Sequence, residues 1–180
     1  MNQRKTLIRL ILSGLFIALG LVLPFFTGQI PQIGSMLLPM HIPVLICGFV
    51  CGWPYGLVVG LITPLLRSLI FTLPPLFPGA VAMAFELAAY GCMTGLLYKL
   101  LPKKPVFIYV TLILAMLIGR VVWGIVTFAL VVGFAGNAFT FQAFLAGAFI
   151  NAVPGIIVQI VLIPLIILAL RKANLMKYAD

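Results

Sequence analysis

Residues 106–134 read VFIYVTLILAMLIGRVVWGIVTFALVVGF, an apolar run whose single charged group is Arg120. About 20 apolar residues suffice to cross a hydrocarbon layer of about 30 Å as a helix, and a helix satisfies its backbone donors and acceptors within the segment. The stretch is therefore read as a membrane span. Similar runs recur, and their bounds are expected at 6–26, 38–52, 55–71, 80–101, 106–134 and 141–170. The second is short, framed by "LPMHIP" (38–43) and "CGWPYG" (51–56), both rich in residues that break helices. The last two are long enough to tilt or kink, and Pro154 and Pro164 place a bend inside the sixth.

Composition agrees. Of 180 residues 64% are hydrophobic and 7% charged, where a soluble domain carries about 25% charged residues. The expectation is one all-α integral membrane domain of six transmembrane helices over residues 1–180. The N-terminal "NQRK" and the apolar run after it resemble a signal peptide. The run is too long for one and ends in "LPFFTGQIP" without an A-x-A-like site, so it is kept as the first helix.

Nine of the eleven cations form three groups: Arg4, Lys5 and Arg9; Lys99, Lys103 and Lys104; Arg171, Lys172 and Lys177. With six helices all three fall on one side, and the loops at 27–37, 72–79 and 135–140 carry no charge on the other. The positive-inside rule then predicts cytoplasmic N and C termini. The net charge of +9 is accordingly a topology signal. No basic patch interleaved with aromatics suggests a nucleic-acid partner. Cys47, Cys51 and Cys92 lack the further ligands a metal site needs, and the single histidine, His41, lies toward the other side. No metal and no cofactor is expected.

Three charges remain within spans: Arg67, Glu86 and Arg120. A charge at the bilayer centre costs about 2.5–3.5 kcal/mol on the insertion scale, so something must offset them. At ~1.5 Å per residue all three fall in the half of the membrane away from the cation groups. His41 opens the second span there, and Asn151 lies near mid-membrane in the sixth. That grouping describes a pocket open to the outside, with Arg67, Glu86, Arg120, His41 and Asn151 as binding residues. Trp123, three residues after Arg120, is either a stacking wall or a packing residue. A buried Arg–Glu pair can also lock helices without binding anything, and Asn151 can equally serve a helix–helix hydrogen bond. Two arginines against one glutamate leave a guanidinium to spare, which suits one ligand carboxylate.

Small residues recur at four-residue spacing: Gly48, Gly52, Gly56 and Gly60; Gly91 and Gly95; Ala84 and Ala88; Gly14 and Ala18. In lipid such spacing lets helices approach closely. The uncharged, Gly- and Pro-rich "FTGQIPQIGSML" (26–37) and "TLPPLFPG" (72–79) suit lids over the pocket. No G-x-x-x-x-G-K-[ST] phosphate loop is present, and no nucleophile, base and orienting group assemble into a catalytic set. The chain is not expected to be an enzyme, and an ATP-driven process would need its motor on another subunit.

Six short-looped helices, "SGLFIALG" (13–20), "LLPMHIPVLICGFVCGWPYGLVVG" (37–60), "PLLRSLIF" (64–71) and "AMAFELAAYG" (82–91) together resemble the substrate-binding (S) component of energy-coupling factor transporters, prokaryotic vitamin importers. The resemblance covers nearly the whole chain. It implies a plasma-membrane subunit that captures a micronutrient from outside. It then docks on a transmembrane coupling subunit carrying two ATPases and delivers its cargo inward by toppling. The family's first helix offers paired alanines to the coupling subunit; here the matching positions are Gly14 and Ala18. The spare cation favours an acid such as pantothenate, with pyridoxine or a queuosine precursor as rivals. A self-sufficient secondary carrier or small channel, with Glu86 as a proton relay, is the alternative of another class.

Overall fold

The computed structural model describes residues 3–27, 36–134, 138–173 and 175–176, and among them every regular element is helical. Helix α1 covers Gln3–Val22 and passes into a 3₁₀ turn at Leu23–Thr27. Helices α2 (His41–Cys51), α3 (Trp53–Phe71), α4 (Val81–Leu100), α5 (Pro105–Phe128) and α6 (Val153–Lys172) follow. Five runs are long and apolar enough to cross a membrane: Gln3–Phe26, Trp53–Phe71, Leu76–Leu100, Pro105–Gly133 and Phe141–Lys172. Helix α2 is apolar but shorter.

The boundaries follow from local chemistry. Gly52 separates α2 from α3 at φ 92°, a left-handed backbone that glycine adopts without a Cβ penalty. Pro54, Pro105 and Pro154 lie in the first turns of α3, α5 and α6, where a missing N–H breaks no helical bond. This placement changes the reading of the sixth span. Pro154 starts a helix instead of bending one. A short helix at Phe141–Leu145 and a π-helical segment at Ala146–Ile150 end in a turn at residues 151–152, and α6 begins afresh. Pro164 is inside α6.

Helix α2 occupies the centre. Ile42 is its only residue that is not buried, so α2 need not present a lipid-spanning surface. The most extensive packing is between α3 and α4, followed by α4 with α5 and α2 with α4. Helix α1 lies against α2 and α3, while α6 touches α5 and α2 more lightly. Glycines make the α3–α4 seam. A Cβ added to Gly56 would stand 2.3 Å from the Gly91 carbonyl oxygen, and one on Gly91 would stand 2.1 Å from the Gly56 oxygen. Gly60 meets the Leu87 carbonyl and Gly95 meets the Trp53 backbone in the same way. Backbones at this distance gain dispersion contacts that lipid cannot match.

The ends of α4, α5 and α6 meet at a cation-bearing face. Lys103 donates to the Tyr98 carbonyl at 2.7 Å and stands over the Tyr98 ring, and Arg171 donates to the Lys103 carbonyl at 2.6 Å. The α4–α5 turn and the end of α6 are thereby tied together. Helix α1 begins with Arg4 and Lys5, and Gly14 and Ala18 on it are exposed, with nothing within 4 Å of a Cβ built on Gly14.

Candidate functional site

Three helices meet at one ion pair. Glu86 lies in the second turn of α4 and Arg120 in the latter half of α5; Arg120 Nη1 stands 2.8 Å from Glu86 Oε1. His41, the first residue of α2, adds its Nε2 at 3.5 Å from the same oxygen. All three residues are buried, none more than 4% exposed. Burial strengthens the attraction between the charges, and pairing is what makes burial of either one tolerable. Tyr90, one helical turn after Glu86, is fully buried and tilts its ring over His41 at 5.3 Å between centroids.

A fourth helix reaches the His41 side of the cluster. Gln159 of α6 is fully buried, and its Nε2 lies 3.5 Å from the Leu38 carbonyl, which also accepts from the His41 backbone N–H at 3.1 Å. Gly155, one turn earlier, lets the backbone of Met36 and Leu37 pass within 2.6–2.8 Å of where a Cβ would stand. The approach to α2 is thus set by a glycine and an amide on α6.

Much of the polar equipment here is left without partners. Arg120 Nε and Nη2, His41 Nδ1 and Gln159 Oε1 are buried and make no hydrogen bond; farther along α5, on either side of Arg120, the Thr111 and Thr127 hydroxyls are likewise unpaired. Native interiors leave few such atoms, and a concentration of them marks a place where a ligand or water completes the set. Arg120 also lines a cavity of about 150 Å³ between α5 and α6, whose other walls are Ile113, Met116, Leu117, Phe149, Ile156 and Ile160. Its lining is apolar throughout, with Arg120 contributing its carbon stem.

The other expected residues lie elsewhere. Arg67 is buried near the far end of α3 and does not reach Glu86 in an ion pair. Its Nη1 donates to the Leu21 carbonyl of α1 at 2.5 Å, and its guanidinium lies 5.2 Å from the Phe25 ring centre and 5.4 Å from that of Phe71. Trp123 stacks on Phe144 at 6.3 Å and packs edgewise to Phe139. These aromatics adjoin an open apolar hollow of about 490 Å³ lined by Phe128, Phe139, Phe141 and Phe144 among others. Asn151 is exposed at the turn before α6. The proposed lid at 26–37 falls largely on residues 28–35, outside the described residues. Depth along each helix groups Arg67 with Arg120, but depth says nothing about the face on which each points. Gln159 and Tyr90 were missed. The signal for Gln159 was available, since it is a lone amide in the apolar "IIVQIVLI" (156–163); Tyr90 follows Glu86 at the spacing that shares a helix face.

A family model described as ECF transporter, substrate-specific component, matches residues 8–167, and the chain belongs to that family. No curated protein and no solved structure matches it.

Proposed function

We propose that this substrate-specific subunit captures a water-soluble vitamin or related micronutrient at the Glu86–Arg120–His41 cluster. It enters from the membrane face opposite the cation-bearing ends of α4, α5 and α6. The observation that carries this reading is the buried pair at 2.8 Å, surrounded by unpartnered donors and bordered by the α5–α6 cavity. A purely structural ion pair would have its remaining nitrogens satisfied by neighbouring groups. The candidate cargoes are a pantothenate-like acid, pyridoxine and a queuosine precursor. With the positive-inside rule, the grouping of cations supports cytoplasmic termini in a prokaryotic plasma membrane.

Delivery inward then follows docking on a coupling subunit that carries two ATPase subunits. Helix α1 supports this, because Gly14 and Ala18 are exposed and nothing lies within 4 Å of a Cβ built on Gly14. The proton-relay alternative has less support, since the Glu86 carboxylate is committed to Arg120. The test is reconstitution into liposomes with and without coupling and ATPase subunits. Vitamin uptake that requires those subunits and ATP supports the proposal. Uptake by this chain alone, driven by a proton gradient, would sink it.

A further inference from the structure

Charge counting on the sequence leaves one arginine over. In the folded chain the count comes out differently. Arg67 is engaged by a carbonyl and two aromatic faces on the α1–α3 side, so it brings no spare cation to the cluster. Counting the buried His41 as a neutral imidazole, what remains at the cluster is Glu86 with Arg120, one negative and one positive charge at 2.8 Å, both buried. The pair is electrically closed. A ligand carboxylate arriving there would share Arg120 with Glu86 and stand against a like charge in a medium of low dielectric constant. A ligand cation would meet Arg120 on the same terms.

The cluster is short of hydrogen-bond partners instead. Arg120 offers Nε and Nη2 and, on the α6 side, Gln159 offers Oε1, each atom buried and without a hydrogen bond. We infer that the cargo is uncharged where it meets Arg120 and Glu86. It presents acceptors to the guanidinium, and its apolar portion lies along the α5–α6 cavity. This rests on the capture reading above and narrows its cargo to an uncharged, hydrogen-bonding small molecule, such as a neutral nitrogen heterocycle, and away from an acid.

The experiment uses the full chain in lipid nanodiscs and probes in matched pairs, one a carboxylate and one uncharged: pantothenate with pantothenyl alcohol, nicotinate with nicotinamide, pyridoxic acid with pyridoxine. Thermal stabilisation and calorimetry at pH 7 should favour the uncharged member of whichever pair binds, by about tenfold or more. Glu86→Gln leaves Arg120 unbalanced, and the preference should move toward the carboxylate by a similar factor. The double variant Glu86→Gln/Arg120→Gln is neutral again and should return the preference to the uncharged probe, which separates charge from damage to the fold. Stronger binding of a carboxylate by the unaltered chain, or an unchanged ratio in Glu86→Gln, would overturn the inference while leaving capture standing. Silence toward every probe would count against capture itself, and the inference would fall with it.

Discussion

The α3–α4 seam and the α5–α6 side both place glycines at close contacts, and the contacts differ in kind. Along the seam each glycine meets backbone: Gly56 meets Gly91, Gly60 meets Leu87 and Gly95 meets Trp53. On the α5–α6 side three of four meet rings, since Gly119 accommodates Tyr90 of α4, Gly124 accommodates Phe144 and Gly147 accommodates Trp123, while Gly155 meets the backbone of Met36 and Leu37. A backbone carbonyl cannot step aside, whereas a ring can rotate about χ1 and χ2. The first arrangement makes a fixed wall. The second makes an adjustable one, and it adjoins the cavity, the unpartnered donors and the ion pair.

Substitutions can break this division or sharpen it. The largest effect is expected for Arg120→Ala, which leaves Glu86 buried without its cation. Loss of one partner of a buried pair costs about 3–5 kcal/mol, and thermal unfolding in detergent should fall accordingly, with cargo binding lost as well. Gly91→Val comes next. Its added carbons meet the Gly56 carbonyl, and overpacking of this kind costs about 1–3 kcal/mol; crosslinking between cysteines placed on α3 and α4 should report separation of the two helices. Arg67→Ala should cost about 1.5 kcal/mol through the lost charged hydrogen bond, while cargo affinity measured by calorimetry stays within a factor of about three. A large drop in affinity would join Arg67 to the site and undo the contrast between the two arginines.

Gly124→Ala should cost less than about 1 kcal/mol, because the Phe144 ring can turn away. If its loss equals that of Gly91→Val, the adjustable wall is not adjustable. Gly14→Leu should change folding stability least, within about 0.5 kcal/mol, since nothing lies within 4 Å of the added carbon. Co-purification with the coupling subunit should nonetheless be lost. Retained assembly would move the docking face elsewhere on the molecule.

Much of the rigid side was legible beforehand. Four-residue glycine spacing at 56, 60, 91 and 95 announces close helix approach, because only the absence of a side chain is needed and its position is written in one dimension. Glu86, Arg120 and His41 were legible for a related reason: polar groups in lipid-length helices stand out against their surroundings, and depth can be counted from helix ends. What could not be read was rotation. Whether Arg67 turns toward Glu86 or toward Leu21 depends on how α1 lies against α3, a tertiary matter without local signature. Depth counted along an unbroken sixth span puts Asn151 mid-membrane, whereas the restart of α6 at Val153 leaves it exposed.

The shortness of α2 has an electrical consequence. Eleven residues rise about 16 Å, roughly half of a 30 Å hydrocarbon layer, so on the proposed capture reading His41 and the pair beside it lie well below the rim from which cargo would enter. A molecule travelling from that rim to the cluster crosses a substantial part of the transmembrane voltage. For an ion this is a significant energy, since a full crossing is worth about 2.3 kcal/mol per elementary charge per 100 mV. For an uncharged molecule it is nothing. Capture at this depth would then proceed equally well in energised and de-energised cells, leaving the membrane potential with no direct hold over the first step of uptake.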